Sequence, residues 1–312
     1  MNGNQINGQL LRRYGLSSLP RYESAATRNM RDMAVAAVRE NAMIALTGPV
    51  GAGKSTLLLD VKQVLGEEVI WVKVYNKNKE KVSIGHIMSA MLMEISSETP
   101  RRDQEARARQ LVRNLGYTVV RGRKKVCVVI EEAHRLNFNV LRSLKELREE
   151  DFAGQTPLFS VMLIGHPELR AKVEARKEVY WRTQQMDLSE SSGWMSYPER
   201  LSFLKTLFGE AITEGARSRI AHTRTTPLEM LWLVDQKMRE GLEIGKNRID
   251  EEMLIQTLGE LKEAAGASIS DISAVTGLGR GTVSQALNGK YPEKERAVRD
   301  ALLGILNRRD AV

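Results

Sequence analysis

Short apolar runs of strand length alternate with helically spaced apolar residues between residues 23 and 190. The strand-like runs cover residues 42–46, 68–74, 126–130 and 158–164. The helical patterns cover residues 23–40, 54–65 and 137–150. Because strands that are separated by helices can lie parallel in one sheet, the pattern predicts an α/β fold with helices on both faces of a parallel sheet.

Beyond about residue 190 the strand-like runs end and only helical spacing remains. Helical patterns are centred on residues 198–207, 227–239 and 251–265, and residues 266–312 carry a compact helical pattern of their own. We therefore divide the chain into four parts. They are an N-terminal extension at 1–22, an α/β core at 23–190, a helical lid at 191–265 and a small all-α domain at 266–312.

Composition narrows the class of protein. The 312 residues are 42% hydrophobic and 28% charged, which is typical of a soluble globular protein and excludes wholesale disorder. The start of the chain lacks the apolar core of a secretory signal, and no window approaches the roughly 18 apolar residues of a membrane helix. We expect a cytoplasmic protein with no membrane partner. The single cysteine, Cys127, excludes an internal disulfide framework, and the net charge of +8 favours contact with a polyanion.

A complete phosphate-loop motif lies between the first predicted strand and the helix that follows it. Its glycines let backbone N–H groups surround phosphates, its lysine reaches the outer phosphates, and its serine can bind Mg²⁺. A chance glycine turn is the alternative, but the strand and helix around the motif favour an ATP and Mg²⁺ site. The motif consists of Gly48, Pro49, Val50, Gly51, Ala52, Gly53, Lys54, Ser55 and Thr56.

Two acidic residues follow the third predicted strand. By position, Glu131 assists Mg²⁺ through coordinated water, and Glu132 polarises the water that attacks the γ-phosphate. The first of these carboxylates is usually an aspartate, so Glu131 is a departure that predicts slow hydrolysis. A solvated acidic end of a strand is the alternative interpretation.

The phosphate loop, residues 126–134 and residues 161–169 together resemble the AAA+ branch that contains transposition helper ATPases and ExeA-type ATPases. The resemblance covers about residues 14–262 and implies ATPase activity in a homo-oligomer, either a ring or a helical filament. It also implies that a polar residue after the strand at 158–164 senses the γ-phosphate. His166 is the candidate for that role, and His134 is its rival.

The same resemblance implies two arginine roles. Arg182 is the candidate arginine finger that reaches the γ-phosphate of a neighbouring subunit, with Arg176 as its rival. A second sensor usually follows a proline at the start of a lid helix, but this chain has Leu228 after Pro227. The second sensor is therefore lost, or displaced to Arg224.

Residues 268–289 resemble a repressor-type helix-turn-helix. Five apolar residues are expected to pack its helices together, namely Ile272, Val275, Leu278, Val283 and Leu287. Five polar residues are expected on the outward face, where they suit a DNA groove, namely Arg280, Thr282, Ser284, Gln285 and Asn288. The alternative is a small bundle that mediates only protein assembly.

An AAA+ core joined to a helix-turn-helix is similar to the target-selecting ATPases of Mu-like transposing phages, although their helix-turn-helix is N-terminal. The resemblance implies ATP-dependent assembly on double-stranded DNA, largely without sequence preference, and recruitment of a transposase that stimulates hydrolysis. It also implies DNA contacts from the basic loop after the second strand, where Lys77, Lys79 and Lys81 are the candidates.

Two other functions remain open from the sequence. One is a regulator whose helix-turn-helix reads a single operator while the ATPase acts as a nucleotide-gated switch. The other is a secretion-type ATPase, which the ExeA-like features allow and the terminal helix-turn-helix disfavours.

Overall fold

A five-stranded parallel sheet forms the centre of the computed structural model, which describes residues 6–75, 78–189, 191, 193–254, 258–288 and 290–309. The strand order is β2-β3-β4-β1-β5. The α/β prediction is therefore confirmed. The strands are β1 Met43–Thr47, β2 Val69–Lys73, β3 Lys125–Glu131, β4 Ser160–Gly165 and β5 Thr183–Asp187.

Strands β1 and β4 lie inside the sheet, and their burial explains why their sequences are continuous apolar runs. Every residue of β1 and β4 is buried, so both faces of the sheet are covered there. Cys127 of β3 is also fully buried, and burial raises the pKa of its thiol to about 12, as expected for a small buried hydrophobic residue.

Helices connect the strands and continue the chain beyond the sheet. Up to β5 they are α1 Gly8–Arg13, α2 Ala25–Arg39, α3 Lys54–Leu65, α4 Ile84–Ile95, α5 Gln104–Gly116, α6 Phe138–Arg148, α7 Glu168–Glu174 and α8 Lys177–Tyr180. After β5 they are α9 Tyr197–Phe208, α10 Glu214–Thr223, α11 Pro227–Glu243, α12 Leu258–Ala265, α13 Ile269–Thr276, α14 Arg280–Leu287 and α15 Pro292–Arg309. Across the part of the chain that the structure describes, none of these helices is long and apolar enough to cross a membrane.

Strand β5 is the element of the sheet that the sequence analysis missed. It reads Thr-Gln-Gln-Met-Asp and pairs with β1 alone, so it lies at an edge where polar side chains are tolerated. Only Thr183, Met186 and the flanking Leu188 are buried. The apolar run that marks a central strand is therefore lacking.

The chain divides into two compact units. The first comprises Tyr22–Arg200 and Thr225–Glu229, and the second lies within Gly3–Arg21, Leu201–Arg224 and Met230–Val312. The four-part division by sequence stays a prediction. The grouping shows that the N-terminal segment belongs with the late helices.

Helix α1 and the residue that follows it are held in the second unit by burial and by one hydrogen bond. Leu10, Leu11 and Tyr14 are buried, and the hydroxyl of Tyr14 donates to the carbonyl of Met238 in α11 at 2.8 Å. Gly241, one helical turn later, leaves room for that hydroxyl, because an added Cβ would overlap it. The N-terminal segment is thus part of a packed core.

Helices α12 to α15 share a separate apolar cluster. It contains Leu258, Leu261, Ala265, Ala267, Ile272, Val283, Ala286, Val298 and Leu302. The turn between α13 and α14 begins at Gly277, which adopts φ +70°, and Ser273 Oγ donates to the carbonyl of Leu278 at 2.6 Å.

The packing expected for Val275 is wrong. Its side chain is 48% exposed, because Ile272 and Ile269 supply the core face of the short α13 and Leu278 takes over beyond the turn. Ile272 and Val283 are buried as predicted, and Leu278 and Leu287 pack against the same cluster.

Substitution of Gly241 by alanine tests the docking of the N-terminal segment. Alanine normally stabilises a helix interior by roughly 0.5–1 kcal/mol over glycine. Here we expect Gly241→Ala to lower the free energy of unfolding by about 1–3 kcal/mol, because the new methyl group displaces Tyr14. Denaturant unfolding measures the change. Gly281→Ala in α14, where an added Cβ meets open space, is the matched control. Unchanged stability of Gly241→Ala, or the same loss in a Tyr14→Ala background, would contradict this docking.

Candidate nucleotide-binding site

The phosphate loop leaves the sheet at its carboxyl edge. Thr47, the last residue of β1, lies opposite Gly165 of β4 and Asp187 of β5, and Glu131 of β3 lies opposite Ile164 of β4. Residues that follow β1, β3 and β4 therefore emerge side by side. Ligands of open parallel sheets bind at this edge.

The conformation of the loop leaves N–H groups of the following helix open to an anion. Gly51 and Gly53 adopt φ +81° and +99°, a region that glycine enters without strain. Gly53 is the N-cap of α3 and has no side-chain cap, so the first N–H groups of this twelve-residue helix have no partner from the N-cap side chain. This is the chemistry of a phosphate site.

Lys54 lies at the start of α3 with its ammonium turned into the loop. Its Nζ donates to the carbonyls of Gly48 and Pro49 at 2.6 and 2.7 Å. Partial burial lowers the pKa of Lys54, and the negative charge of Glu132 opposes that shift. Ser55 and Thr56 follow with exposed side chains, so Ser55 is open to a metal-bound phosphate.

Two side chains that the sequence analysis did not assign to the site pack against the loop. The indole N–H of Trp194 donates to the carbonyl of Ala52 at 3.0 Å, and Trp194 is buried. Leu228 at the start of α11 lies so close to Gly51 that an added Cβ on the glycine would overlap its Cβ. An apolar residue therefore stands where the family resemblance implies a second sensor arginine. The sequence Pro227-Leu228 already indicated the loss of that arginine. No local sequence pattern indicates that Trp194 packs against the phosphate loop.

Glu131 and Glu132 have different surroundings. Glu131 forms an ion pair with Lys73 at 3.6 Å, and both side chains are nearly half exposed. Glu132 adopts φ +57° and ψ +33°, a left-handed conformation that is uncommon for glutamate. Strained backbone of this kind clusters at functional sites, and of the five described non-glycine residues with positive φ, Glu132 alone is acidic.

Both candidate histidines lie beside Glu132. Its Oε2 is 3.6 Å from Nε2 of His134 and 4.0 Å from Nε2 of His166, and the two rings stack edge to face with centroids 4.6 Å apart. The backbone N–H of His166 faces Nδ1 of His134 at 3.4 Å. Burial lowers the pKa of His134, while Glu132 raises it in part. The structure thus joins the two residues that the sequence analysis treated as rivals.

Lys172 fixes the loop that carries this group. It lies on α7, and its ammonium donates to the carbonyl of His134 and, at 2.8 Å, to that of Leu136. Gly165 allows the close approach, since an added Cβ would lie 3.1 Å from the backbone nitrogen of His134. The segments after β3 and β4 are therefore tied together.

Arg182 lies at the amino-terminal ends of the strands, opposite the carboxyl ends from which the phosphate loop emerges. Thr183, the next residue, pairs with Met43 at the start of β1, so Arg182 is far from the phosphate loop of its own chain. Its Nε contacts Glu149 at 2.8 Å, and about half of its side chain is exposed. Arg176, the rival, stacks on Phe138.

The candidate DNA contacts fall in both units. Lys79 and Lys81 lie in a 3₁₀ turn and Lys81 is exposed, whereas Lys77 lies outside the described residues. In α14, Arg280 and Gln285 are exposed, and Thr282 and Ser284 are partly buried. Asn288 is exposed, but its Nδ2 donates to the carbonyl of Ser284 at 2.8 Å and closes the helix. Arg224 lies in the second unit, after α10.

Comparisons with known proteins agree with this geometry. Residues 38–173 match the family model described as AAA domain, so this part of the chain is an AAA-type P-loop ATPase domain. Cdc6p from Pyrobaculum aerophilum is similar at 12% identity and a TM-score of 0.54, covering 97% of this chain and 89% of that chain. Drosophila ORC bound to DNA is similar at 10% identity and a TM-score of 0.53, covering 99% of this chain and 81% of that chain. These likenesses show the fold. No curated protein sequence matches the chain significantly.

Trp194 provides a direct readout of the loop. We expect Mg²⁺–ATP to change the intrinsic fluorescence, because phosphates bound by the loop alter the hydrogen bond between the indole and Ala52. Trp194→Phe removes most of this change. Trp181→Phe is the matched control, since Trp181 is 77% exposed and precedes β5 at the far edge of the sheet. A nucleotide signal that survives Trp194→Phe and disappears in Trp181→Phe would contradict the site.

Proposed function

We propose that this chain binds and hydrolyses ATP and assembles in several copies on double-stranded DNA. The observation that carries the proposal is the convergence of the phosphate loop, Glu131, Glu132 and His166 at one edge of the sheet, in a chain that also contains a helix-turn-helix. The net charge of +8 supports contact with a phosphate backbone.

The roles of the nucleotide-site residues follow from their chemistry. The N–H groups at the start of α3 and the ammonium of Lys54 bind the phosphates, and Ser55 and Glu131 hold Mg²⁺, directly or through water. Bound Mg²⁺ supplies charge neutralisation at the phosphates. The carboxylate of Glu132 orients water and accepts its proton, and His166 faces the same space from β4.

The position of Arg182 supports a role at the nucleotide site of another copy. Arg182 lies at the amino-terminal end of β5, whereas its own phosphate loop follows the carboxyl end of β1, and its half-exposed side chain contacts Glu149. An arginine so placed can reach a neighbour's γ-phosphate when copies pack in a ring or filament. Hydrolysis then depends on assembly.

The terminal helices supply the DNA contact in this proposal. Arg280 and Gln285 project from α14, the second helix of the helix-turn-helix, which is the one that enters a major groove. The solved structure of Drosophila ORC, which shares the fold, is bound to DNA. Lys81 adds an exposed positive charge to the first unit.

We further propose that the assembly recruits a transposase to the bound DNA, and that the transposase stimulates hydrolysis and so dissolves the assembly. The support is the resemblance of the motifs to transposition helper ATPases. Glu131 in place of aspartate is consistent with hydrolysis that is slow without such a partner.

A nucleotide-gated regulator is the second candidate. The exposed Arg280 and Gln285 favour it, because arginine and glutamine are side chains that read base edges directly. Binding confined to one DNA sequence would select this function.

Two substitutions separate nucleotide binding from turnover. Lys54→Ala removes the phosphate-binding ammonium, so we expect it to abolish ATP-dependent assembly on DNA. Glu132→Gln removes the proton acceptor while keeping side-chain size, so its assemblies form and persist. Electron microscopy and sedimentation of protein with DNA and ATP measure both outcomes. Assembly by Lys54→Ala equal to that of the unaltered chain would refute the mechanism.

A mixing experiment tests Arg182 in trans. We expect Arg182→Ala to lower the ATPase rate of the assembly by about 10²-fold, as for loss of one donor aimed at developing charge. Arg176→Ala, which loses only the stacking on Phe138, is the control. Mixing Arg182→Ala with Glu132→Gln, which still binds ATP and assembles, should restore part of the activity, because the intact Arg182 of one variant faces the intact Glu132 of the other. Two inactive variants that stay inactive when mixed, although they still co-assemble, would exclude this role.

A further inference from the structure

We propose that Glu132, His134 and His166 form a binding site for a transition-metal dication of the Zn²⁺ class, separate from the Mg²⁺ of the nucleotide. The three side chains come from the loop after β3 and the loop after β4. Among the described residues, they are the group of histidine and acidic side chains whose ligand atoms come together, all within 4.8 Å of one another.

The distances between donor atoms are near those of a formed site. Oε2 of Glu132 is 3.6 Å from Nε2 of His134 and 4.0 Å from Nε2 of His166. In a tetrahedral site with metal–ligand bonds of about 2.0–2.1 Å, ligand atoms lie about 3.4 Å apart. Small side-chain rotations therefore close the three donors around one ion.

The surroundings hold two of the donors and leave the third accessible. Lys172 ties the backbone of His134 to α7, and the edge-to-face stacking of the imidazoles orients both rings. The side chains of His134 and His166 are only 18% and 29% exposed, whereas that of Glu132 is 53% exposed. An ion can enter from the Glu132 side, and water completes its coordination.

The donor set selects the class of ion. Two imidazoles and one carboxylate suit Zn²⁺, Co²⁺ or Fe²⁺, whereas Mg²⁺ prefers oxygen ligands. Coordination through Nε2 of His134 places its proton on Nδ1 and gives up the contact with the N–H of His166. That contact is long, at 3.4 Å, so little is lost.

The consequence for turnover rests on the proposed function. A carboxylate bound to a metal ion no longer accepts a proton from water, so the ion inhibits hydrolysis while the phosphate loop still binds ATP. The site thus makes the ATPase sensitive to Zn²⁺ without competition between Zn²⁺ and Mg²⁺ for the same ligands.

Titration of the nucleotide-free full chain with Co²⁺ tests the site independently of ATP hydrolysis. The visible absorption of bound Co²⁺ reports its coordination by nitrogen and oxygen ligands. Zn²⁺ is then added to displace the bound Co²⁺. We expect one equivalent to bind, and affinity to fall by more than about tenfold in His134→Ala and in His166→Ala, since loss of even an indirect partner costs 10–100-fold.

The chain provides its own controls. Its other two histidines, His86 and His222, lie on different helices, so His86→Ala and His222→Ala keep the affinity of the unaltered protein. Glu132→Gln, at an exposed side chain, weakens binding without loss of fold, which circular dichroism verifies. Absence of binding, or binding unchanged in His134→Ala and Glu132→Gln, would overturn the site. Co²⁺ binding in a chain that fails to hydrolyse ATP would leave the site standing and refute only the proposed activity.

Discussion

The register of the parallel sheet is the constraint on which the candidate site depends. Thr47 lies opposite Gly165, and Glu131 lies opposite Ile164, so β1, β3 and β4 end at nearly the same level. Neighbouring strands are about 4.8 Å apart, so the residues that follow the three strand ends lie close together. The phosphate loop, Glu132 and His166 meet for that reason. A shift by one residue in any of the three strands would move its end by about 3.3 Å along the strand direction and separate the residues that now meet there.

The strained backbone at Glu132 is held in place by contacts from β4 and α7. A left-handed glutamate persists only where its surroundings hold it. Here Lys172 donates to the carbonyls of His134 and Leu136, and Gly165 leaves room for the backbone of His134. The same contacts keep His134 and His166 against the carboxylate. The proposed catalytic carboxylate and the proposed metal site therefore both depend on the contact between the loop after β3 and α7.

The sequence predicted what is local and periodic, and it missed what depends on distant partners. Helix α3 begins and ends as predicted, because the phosphate loop and Gly66 bound it. Strand β5 was missed because an edge strand needs no apolar run. Trp194 and Lys172 were not assigned to the site, because their roles arise from hydrogen bonds to Ala52 and His134 that no local pattern encodes. The packing of α1 likewise depends on Gly241, far along the chain.

The central claim is that nucleotide at the sheet edge controls assembly on DNA. Its most direct test is binding of the full chain to random-sequence duplex DNA across a salt series, with ATP, with ADP and without nucleotide. The account predicts tight binding that requires ATP, is independent of sequence and weakens steeply with salt, as release of counterions demands. Binding that is equal in all three nucleotide states would contradict it.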